Sequence, residues 1–257
     1  MLKLRDFVDA SRRQFNRWFN LDLVKVSGQY TLGAHVATVL KKHGVDAVID
    51  VGANEGAFGV LMRGLGYRGK IFSFEPVAGP FEVLALQAQA DPDWHVFNFA
   101  LGAQEGQAQI NVSKFSQLSS ILPASGYGNS WKNMQVEHRQ DIVIKTLDGL
   151  FSEGVLAGGR NYFLKMDTQG YDVEVFKGAQ ASLDKVCCML SELSLIPLYE
   201  GMPSYLESLA CYNRAGFLVS GFYPITRHAS LALNEVDCML VRPEVAGGVQ
   251  ISGLVAN

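Results

Sequence analysis

The sequence lacks the features that mark several large classes of protein. Its four cysteines show neither C-x-x-C spacing nor a framework that suggests disulfide bonds. The net charge is only −3, so no basic surface indicates a nucleic-acid partner. No run of about 18 apolar residues occurs, and the first residues lack the apolar core of a signal peptide. These absences predict a cytoplasmic protein with no transmembrane segment and no nucleic acid as a partner.

The composition is that of a globular protein with a large buried core. Hydrophobic residues make up 48% of the 257 residues and charged residues 18%. This length suits one large domain, or one domain with an appendage. Cys187, Cys188 and Cys238 lie in apolar, strand-like runs, so we expect them to be reduced core residues.

Short apolar runs alternate with helical periodicity along most of the chain. Core strands are expected at 48–51, 70–74, 94–101, 162–167 and 186–191. Two final strands, 217–222 and 236–241, have no helix between them and should form an antiparallel hairpin. The order predicts an α/β fold: a Rossmann-like, mostly parallel sheet of seven strands with helices on both faces and a C-terminal antiparallel hairpin.

Three segments flank or interrupt this predicted domain, which spans residues 45–243. Residues 1–44 are expected to form an N-terminal helical extension, with an amphipathic helix over about 1–26 and a second helix over about 30–43. Residues 1–30 carry six basic and three acidic side chains. We favour a strap packed on the domain, while contact with a membrane surface and homodimerisation stay open. The polar stretch 113–141 is predicted to be a substrate lid or insertion, and 244–257 a loose tail.

One stretch organises the chemistry: Val48-Ile49-Asp50-Val51-Gly52-Ala53-Asn54-Glu55-Gly56. The spacing differs from G-x-G-x-x-G, which binds dinucleotides. Acids at the turn would repel a pyrophosphate but suit a sulfonium and an amino group. Glu75, at the end of the next strand, can accept both hydroxyls of a ribose. The pattern predicts S-adenosylmethionine as the cofactor, with a tight turn that binds no ligand as the alternative.

Other candidate residues follow the strand ends, where ligands of doubly wound sheets bind. The predicted cofactor-binding residues are Asp50, Gly52, Asn54, Glu55, Gly56, Glu75, Pro76, Asn98, Ala100 and Leu101. The predicted substrate-binding residues are Ser119, Ser120, Lys165 and Gly170. Asp167 and Glu192, expected at the ends of neighbouring strands, are the first candidates for general base, and His138 in the lid is the third. Each acid could instead cap a turn, and a loop histidine is commonly a surface residue.

Read together, these stretches resemble the FkbM family of S-adenosylmethionine-dependent methyltransferases. The resemblance covers about residues 45–243 and rests on the following matching pieces: 48–56, Phe74-Glu75-Pro76, Asn98-Phe99-Ala100-Leu101-Gly102, Thr146-Leu147-Asp148 and, above all, 164–179. It implies a class I methyltransferase fold and O-methylation of a hydroxyl on a sugar, glycan or natural product. The chain departs from the family at Thr168-Gln169-Gly170, where Val-Glu-Gly or a similar sequence is usual, and so loses an acid.

Two other functions and one other requirement stay open at this stage. A non-catalytic member of the family could bind the cofactor without turnover. A nicotinamide-dependent oxidoreductase is less consistent with the glycine spacing and the terminal hairpin. Asp167 could serve a divalent metal, but metal-dependent O-methyltransferases of similar fold carry an Asp-Asn pair where this chain has Ser191-Glu192, so no metal site is predicted.

Overall fold

The computed structural model describes residues 31–243, which form an α/β structure with two sheets. The helices are α1 (Leu32–Lys42), α2 (Ala57–Gly64), α3 (Ala78–Ala88), α4 (Leu147–Ser152), α5 (Asp172–Lys177) and α6 (Tyr205–Arg214). The strands are β1 (Ala47–Val51), β2 (Lys70–Phe74), β3 (Trp94–Phe97), β4 (Ala100–Leu101), β5 (Gly106–Ser113), β6 (Val136–Lys145), β7 (Tyr162–Met166), β8 (Val186–Ser194), β9 (Leu218–Arg227) and β10 (Leu233–Val241). The predicted N-terminal amphipathic helix and C-terminal tail lie outside these residues.

The main sheet has seven strands in the order β3-β2-β1-β7-β8-β10-β9. The first five run parallel, whereas β10 is antiparallel to both β8 and β9. This confirms the predicted fold, including the terminal hairpin. The strand order reverses direction between β1 and β7, and ligands of doubly wound sheets bind in the crevice at such a point.

Helices cover both faces of the main sheet, so β1 is buried along its whole length. Ile49 and Leu164 belong to the apolar cluster on the side of α4, α5 and α6. Val48 and Phe163 belong to the cluster on the side of α1, α2 and α3. Because alternate residues of each strand enter opposite clusters, the parallel strands read in the sequence as continuous apolar runs.

A second sheet, in the order β4-β6-β5, corrects one expectation. The strand predicted over 94–101 is two strands: β3 ends at Phe97, and Ala100–Leu101 pairs with β6 instead. The break occurs at Asn98, whose amide donates to the backbone oxygens of Glu75 and Pro76 and turns the chain out of the main sheet. The next strand along the chain, β5, pairs antiparallel with β6.

The predicted lid is more structured than its polar sequence suggests. Its last residues, from Val136, belong to β6. The remaining segment, residues 114–135, contains three short 3-10 turns and packs through Met134 on Leu198 and Tyr199. We call residues 114–135 the covering segment.

The ends of two helices are defined by local features. Helix α6 begins with a capping box, in which Ser204 and Glu207 each accept a hydrogen bond from the other's backbone N–H group. Helix α5 ends at Lys177, and Ala179 and Leu183 beyond it are buried. No helix within residues 31–243 is long and apolar enough to cross a membrane.

Candidate functional site

The loop after β1 is shaped by glycines that the packing itself requires. Gly52 has a φ of +73°, and a Cβ there would lie 1.9 Å from the backbone oxygen of Asp167. Gly56 has a φ of +92°, and a Cβ there would lie 2.9 Å from Leu84 Cδ1. Gly52 is therefore closed to other residues, because L-residues disfavour that conformation and a backbone atom occupies the space of a side chain, whereas Gly56 is required mainly by its conformation. The loop brings the ends of β1 and β7 into contact.

Glu75 follows β2 and lies against this loop. Its Oε2 accepts a hydrogen bond from the backbone N–H of Asn54 at 2.8 Å, and its Oε1 accepts one from Val77 at 2.8 Å. Burial raises the pKa of Glu75 to about 7, although both backbone bonds act in the opposite direction. A carboxylate offers about four lone-pair sites, so each oxygen can accept one further donor. Two hydroxyls of a ribose fit this remaining capacity.

Asp50 lies beneath the loop and not in it. The side chain is fully buried in β1. Its Oδ2 accepts a hydrogen bond from Ser73 Oγ, and its Oδ1 lies 3.1 Å from Lys165 Nζ. A ligand in the crevice therefore meets Asp50 only through its neighbours, whereas the sequence predicted direct contact with the cofactor.

Lys165 is likewise turned inward. Its ammonium donates to the backbone oxygen of Gly52 at 2.8 Å and lies 3.6 Å from Asp167 Oδ2. Burial lowers the pKa of Lys165, but the carboxylates of Asp50 and Asp167 outweigh that effect and raise it overall. Lys165 was predicted to contact the substrate. Its ammonium instead bonds the Gly52 carbonyl and two carboxylates inside the protein, and so holds the loop to β7.

Asp167 and Glu192 lie close together in the structure, although the end of β8 differs from the prediction. Asp167 directly follows β7, as expected, with its side chain 39% exposed. Glu192 lies inside β8, which continues to Ser194, and faces Asp237 of β10. The amide nitrogen of Gln169 joins the two acids, at 3.0 Å from Asp167 Oδ1 and 2.6 Å from Glu192 Oε2. The sequence analysis noted position 169 only as a departure from the family, at which an acid is lost. That departure was the one feature of the sequence that could have indicated a role for Gln169.

The acids around Glu192 favour its protonated form. Burial raises the pKa of Glu192 well above its usual range, and the nearby carboxylates of Asp167 and Glu235 raise it further. Burial also raises the pKa of Asp237, to about 6. A raised pKa favours the protonated carboxyl, which can donate a hydrogen bond but cannot accept a proton, so Glu192 is poorly suited to act as a base.

The predicted substrate-binding serines are buried in the covering segment. Ser119 Oγ accepts from the backbone N–H of Ser113. Ser120 Oγ donates to the backbone oxygen of Gln169 at 2.7 Å and accepts from Leu122. Both hydroxyls thus fasten the segment to the rest of the protein. Gly170, the other predicted contact, has a φ of +90° and lines a narrow crevice together with Glu192.

The remaining candidates lie at the edges of this arrangement. His138 is exposed on β6, opposite Val112 of β5, in the second sheet. Glu55 is exposed at the loop, whereas Ala100 and Leu101 are buried in β4. Sequence reasoning also missed a contact: Asn54 Nδ2 donates to Ser116 Oγ at 3.0 Å, so the covering segment reaches the loop. Pro76 is joined to β6, since its backbone oxygen accepts from Gln140.

Two observations limit other locations for chemistry. Within residues 31–243, no group of three or more His, Cys, Asp or Glu is arranged to hold a metal ion. A concavity of about 500 Å³ lies on the second sheet, lined by Gln107–Gln109 and Asp141–Val143. It contains neither the loop nor the paired acids. The groups that could bind and react therefore converge at the carboxyl edge of the main sheet, between β1 and β7.

Comparison with known proteins agrees with this location. The methyltransferase FkbM domain matches residues 50–219, two thirds of the chain, from Asp50 of β1 to the second residue of β9. This chain belongs to the FkbM methyltransferase family. The match spans both the glycine loop and the two acids, so the FkbM domain contains the whole candidate site. No curated protein matches the sequence.

Solved structures, methyltransferases among them, are similar to this chain at low sequence identity. The methyltransferase domain of bacterial CtHen1-CN is 10% identical, with 81% of this chain and 96% of that one covered and a TM-score of 0.42. An rRNA methylase from Streptococcus thermophilus is 10% identical, with coverage of 84% and 99% and a TM-score of 0.44. TehB from Haemophilus influenzae is 9% identical, with coverage of 91% and 67% and a TM-score of 0.45. Such distant similarity assigns no substrate to this chain.

Proposed function

We propose that this FkbM-family protein uses S-adenosylmethionine to methylate a hydroxyl oxygen of a sugar, glycan or natural product. The observation that carries the proposal is the carboxylate of Glu75. It is buried against the glycine loop, and each oxygen is held by one backbone N–H with capacity for one more donor. This arrangement suits the paired hydroxyls of a ribose at the end of β2.

The loop and its support would hold the cofactor. Gly52 and Asn54, both in left-handed conformations, allow the backbone to approach a ligand closely. Lys165 and Asp50 hold the loop from beneath. The adenine is expected beside Asn98, and Glu55, Gly56, Pro76, Ala100 and Leu101 remain predicted contacts. When bound, the cofactor supplies an activated methyl group.

Asp167 is the proposed general base. Its side chain is 39% exposed, and its backbone oxygen packs closely against Gly52 of the loop. Lys165 Nζ lies 3.6 Å from Oδ2, and the Asp167 carboxylate can take the proton of an acceptor hydroxyl at Oδ1 or Oδ2. A positioned base contributes about 10²–10⁴-fold, whereas alignment of the two reactants supplies ~7–11 kcal/mol of the barrier. Binding geometry is therefore the larger part of the proposed catalysis.

The charge around the acid pair favours an acceptor without phosphate groups near the reacting hydroxyl. Glu235 and Asp237 of β10 lie beside Glu192, and both contribute to its raised pKa. Acids at this density repel an anionic acceptor. The net charge of −3 agrees with a small-molecule or glycan acceptor in preference to nucleic acid.

The first experiment is calorimetric titration of the protein with S-adenosylhomocysteine, with NAD as the control ligand. Micromolar binding of S-adenosylhomocysteine alone supports the proposed cofactor. Binding of NAD alone would overturn it in favour of the oxidoreductase alternative. Binding of neither would favour a chain that does not use this cofactor. Transfer of a labelled methyl group to glycan, lipid-linked and natural-product acceptors then separates an active enzyme from a non-catalytic cofactor-binding protein.

A further inference from the structure

Gln169 uses both donor hydrogens of its amide group, and also the amide oxygen, at the centre of the site. Its nitrogen donates one hydrogen to Asp167 Oδ1 at 3.0 Å and the other to Glu192 Oε2 at 2.6 Å. Its oxygen accepts from the Tyr199 hydroxyl at 2.8 Å. The side chain is buried, and the backbone has a φ of +54°. A glutamine seldom adopts this left-handed conformation, so the surroundings must fix it.

The two acids are close neighbours because both bond a single nitrogen. Two carboxylates at such a distance repel each other, which disfavours ionisation of both. An amide N–H between them stabilises negative charge without adding any. A glutamate at this position would supply oxygens where this chain supplies donors. Residue 169 therefore decides whether the site holds two acids bridged by an amide or three adjoining acids.

Gln169 is also the point where the covering segment joins the acids. Its backbone oxygen accepts from Ser120 Oγ at 2.7 Å. Tyr199, which fixes the amide orientation, also lies 3.0 Å from the backbone oxygen of Leu118. Four residues before Ser120, Ser116 bonds Asn54 of the glycine loop. Residues 116–120 of the covering segment thus contact the proposed cofactor loop through Ser116 and Gln169 through Ser120.

We propose that Gln169 is a positioning residue: its amide holds Asp167 and Glu192 together as one coupled acid pair and links that pair to the covering segment. The inference deepens the proposed function, because Asp167 is the proposed base. The contacts themselves exist without cofactor or acceptor, so they can be tested separately.

The charged and titratable groups that face this pair come from every neighbouring element. They are Asp50 of β1, Lys165 of β7, Asp172 of α5, Glu235 and Asp237 of β10, and Tyr199 of the loop after β8. Any measured titration of the pair includes their influence. The test must therefore compare variants that leave all of these groups in place.

The test is a ¹³C NMR titration of glutamate carboxyl carbons in the full chain, with Glu192 assigned by the loss of its signal in Glu192→Gln. Gln169→Met keeps the length of the side chain but removes both donors. We expect the titration midpoint of Glu192 to move up by about one pH unit, because its ionised form loses a hydrogen bond. The matched control is Gln180→Met, whose amide donates to the backbone oxygen of Phe176. Equal midpoints in Gln169→Met and the wild type would overturn the proposal.

A second variant keeps the proposal testable if Gln169→Met does not fold. Gln169→Glu retains an acceptor for Tyr199 and creates three adjoining carboxyls, the oxygen ligands that Mn²⁺ prefers. Measured by electron paramagnetic resonance of free Mn²⁺, its affinity should exceed that of the wild type and of Gln180→Glu by about tenfold or more. Equal affinity in all three proteins would show that residue 169 does not lie between the acids. If S-adenosylhomocysteine fails to bind while these changes appear, the proposed function falls and this inference stands.

Discussion

The two halves of the candidate site are built from different materials. At the ends of β1 and β2, the shape comes mainly from backbone: glycines at positive φ, and backbone N–H groups of Asn54 and Val77 held by Glu75. At the ends of β7 and β8, it comes from side chains: Asp167, Gln169 and Glu192 bond one another. Backbone geometry depends on the residue type at single positions, whereas a side-chain network depends on every one of its members. Substitutions in the first half should therefore act by straining the backbone, and substitutions in the second half by changing the charge of the site.

The largest expected effect removes the proposed base. Asp167→Asn should lower the rate of methyl transfer by about 10²–10⁴-fold, because an amide cannot take the proton of the acceptor hydroxyl. Affinity for S-adenosylhomocysteine should stay nearly constant, since cofactor binding belongs to the other half of the site. Initial rates with a labelled cofactor and calorimetry measure the two quantities separately.

Two further variants show whether that loss is specific to Asp167 or follows from removing any nearby acid. Glu192→Gln should reduce the rate less than Asp167→Asn does, because the raised pKa of Glu192 already favours the protonated form. Asp184→Asn, on an exposed turn, is the control for charge alone. A larger loss in Glu192→Gln than in Asp167→Asn would exchange the roles that we propose for the two acids.

The second prediction breaks the connection between the halves. Lys165 joins Asp50 and the Gly52 carbonyl of one half to Asp167 of the other. Lys165→Met should reduce the free energy of unfolding by about 3–5 kcal/mol, because the Asp50 charge is left buried without its partner. Urea denaturation measures this loss. Lys145→Met is the matched control: its ion pair with Glu153 has the same 3.1 Å separation but is partly exposed, and should contribute less than about 1 kcal/mol.

The double variant Asp50→Asn/Lys165→Met then tests the cause. If the unpaired charge explains the loss, the double variant should be more stable than the sum of the two single effects predicts. Strictly additive effects would mean that Lys165 stabilises the protein through packing, such as its position over the Phe58 ring, and not through its charge.

The sequence was sufficient for the fold because apolar runs and their order carry that information locally. Strands β1, β2, β7, β9 and β10 were recognised from short runs, and the missing helix between the last two predicted the hairpin. Strand ends were harder. Glu192 was placed two residues too close to the end of β8, because Leu193 and Ser194 continue the strand by pairing with Val236 and Glu235 of distant β10. The split at Asn98 depends on an amide contact that no periodicity shows.

The same contrast explains the site predictions. Gly52, Gly56 and Glu75 could be selected by residue type and spacing, since Gly52 and Glu75 directly follow strands and Gly56 directly precedes α2. The roles of Ser120 and Lys165 could not be judged, because their partners are 49 and 113 positions away in the chain. From the sequence alone, a serine hydroxyl or a lysine ammonium cannot be distinguished from one that is free to bind substrate, because its partner inside the protein is not known.

The third prediction tests strain in the backbone half. Gly52→Ala should lower the free energy of unfolding by about 2–5 kcal/mol: about 1–2 for an alanine at positive φ and about 1–3 for the clash with the Asp167 backbone oxygen. Gly66→Ala is the matched control, since Gly66 has a φ of +86° and nothing within 4 Å of a Cβ. Thermal and urea unfolding give the difference between the two. An equal loss in both variants would mean that conformation alone, and not close packing with β7, requires the glycine.

The smallest effect is the pH dependence of cofactor binding at Glu75, and it tests whether this backbone half also depends on charge. Burial raises the pKa of Glu75 to about 7, so the carboxyl changes from mostly protonated to mostly ionised between pH 6 and pH 8. The ionised form is the better acceptor for two ribose hydroxyls, so binding should lower that pKa and affinity for S-adenosylhomocysteine should rise with pH, by about tenfold at most.

In the unliganded protein the pH dependence of stability has the opposite sign. The folded state binds more protons than the unfolded state between pH 4.5 and pH 7, so the free energy of unfolding falls as pH rises. Glu75→Gln should bind more weakly and remove both dependences, whereas exposed Glu82→Gln should retain them. Affinity that is constant with pH in the wild type would separate Glu75 from the ribose and leave it only the structural task of holding Asn54 and Val77.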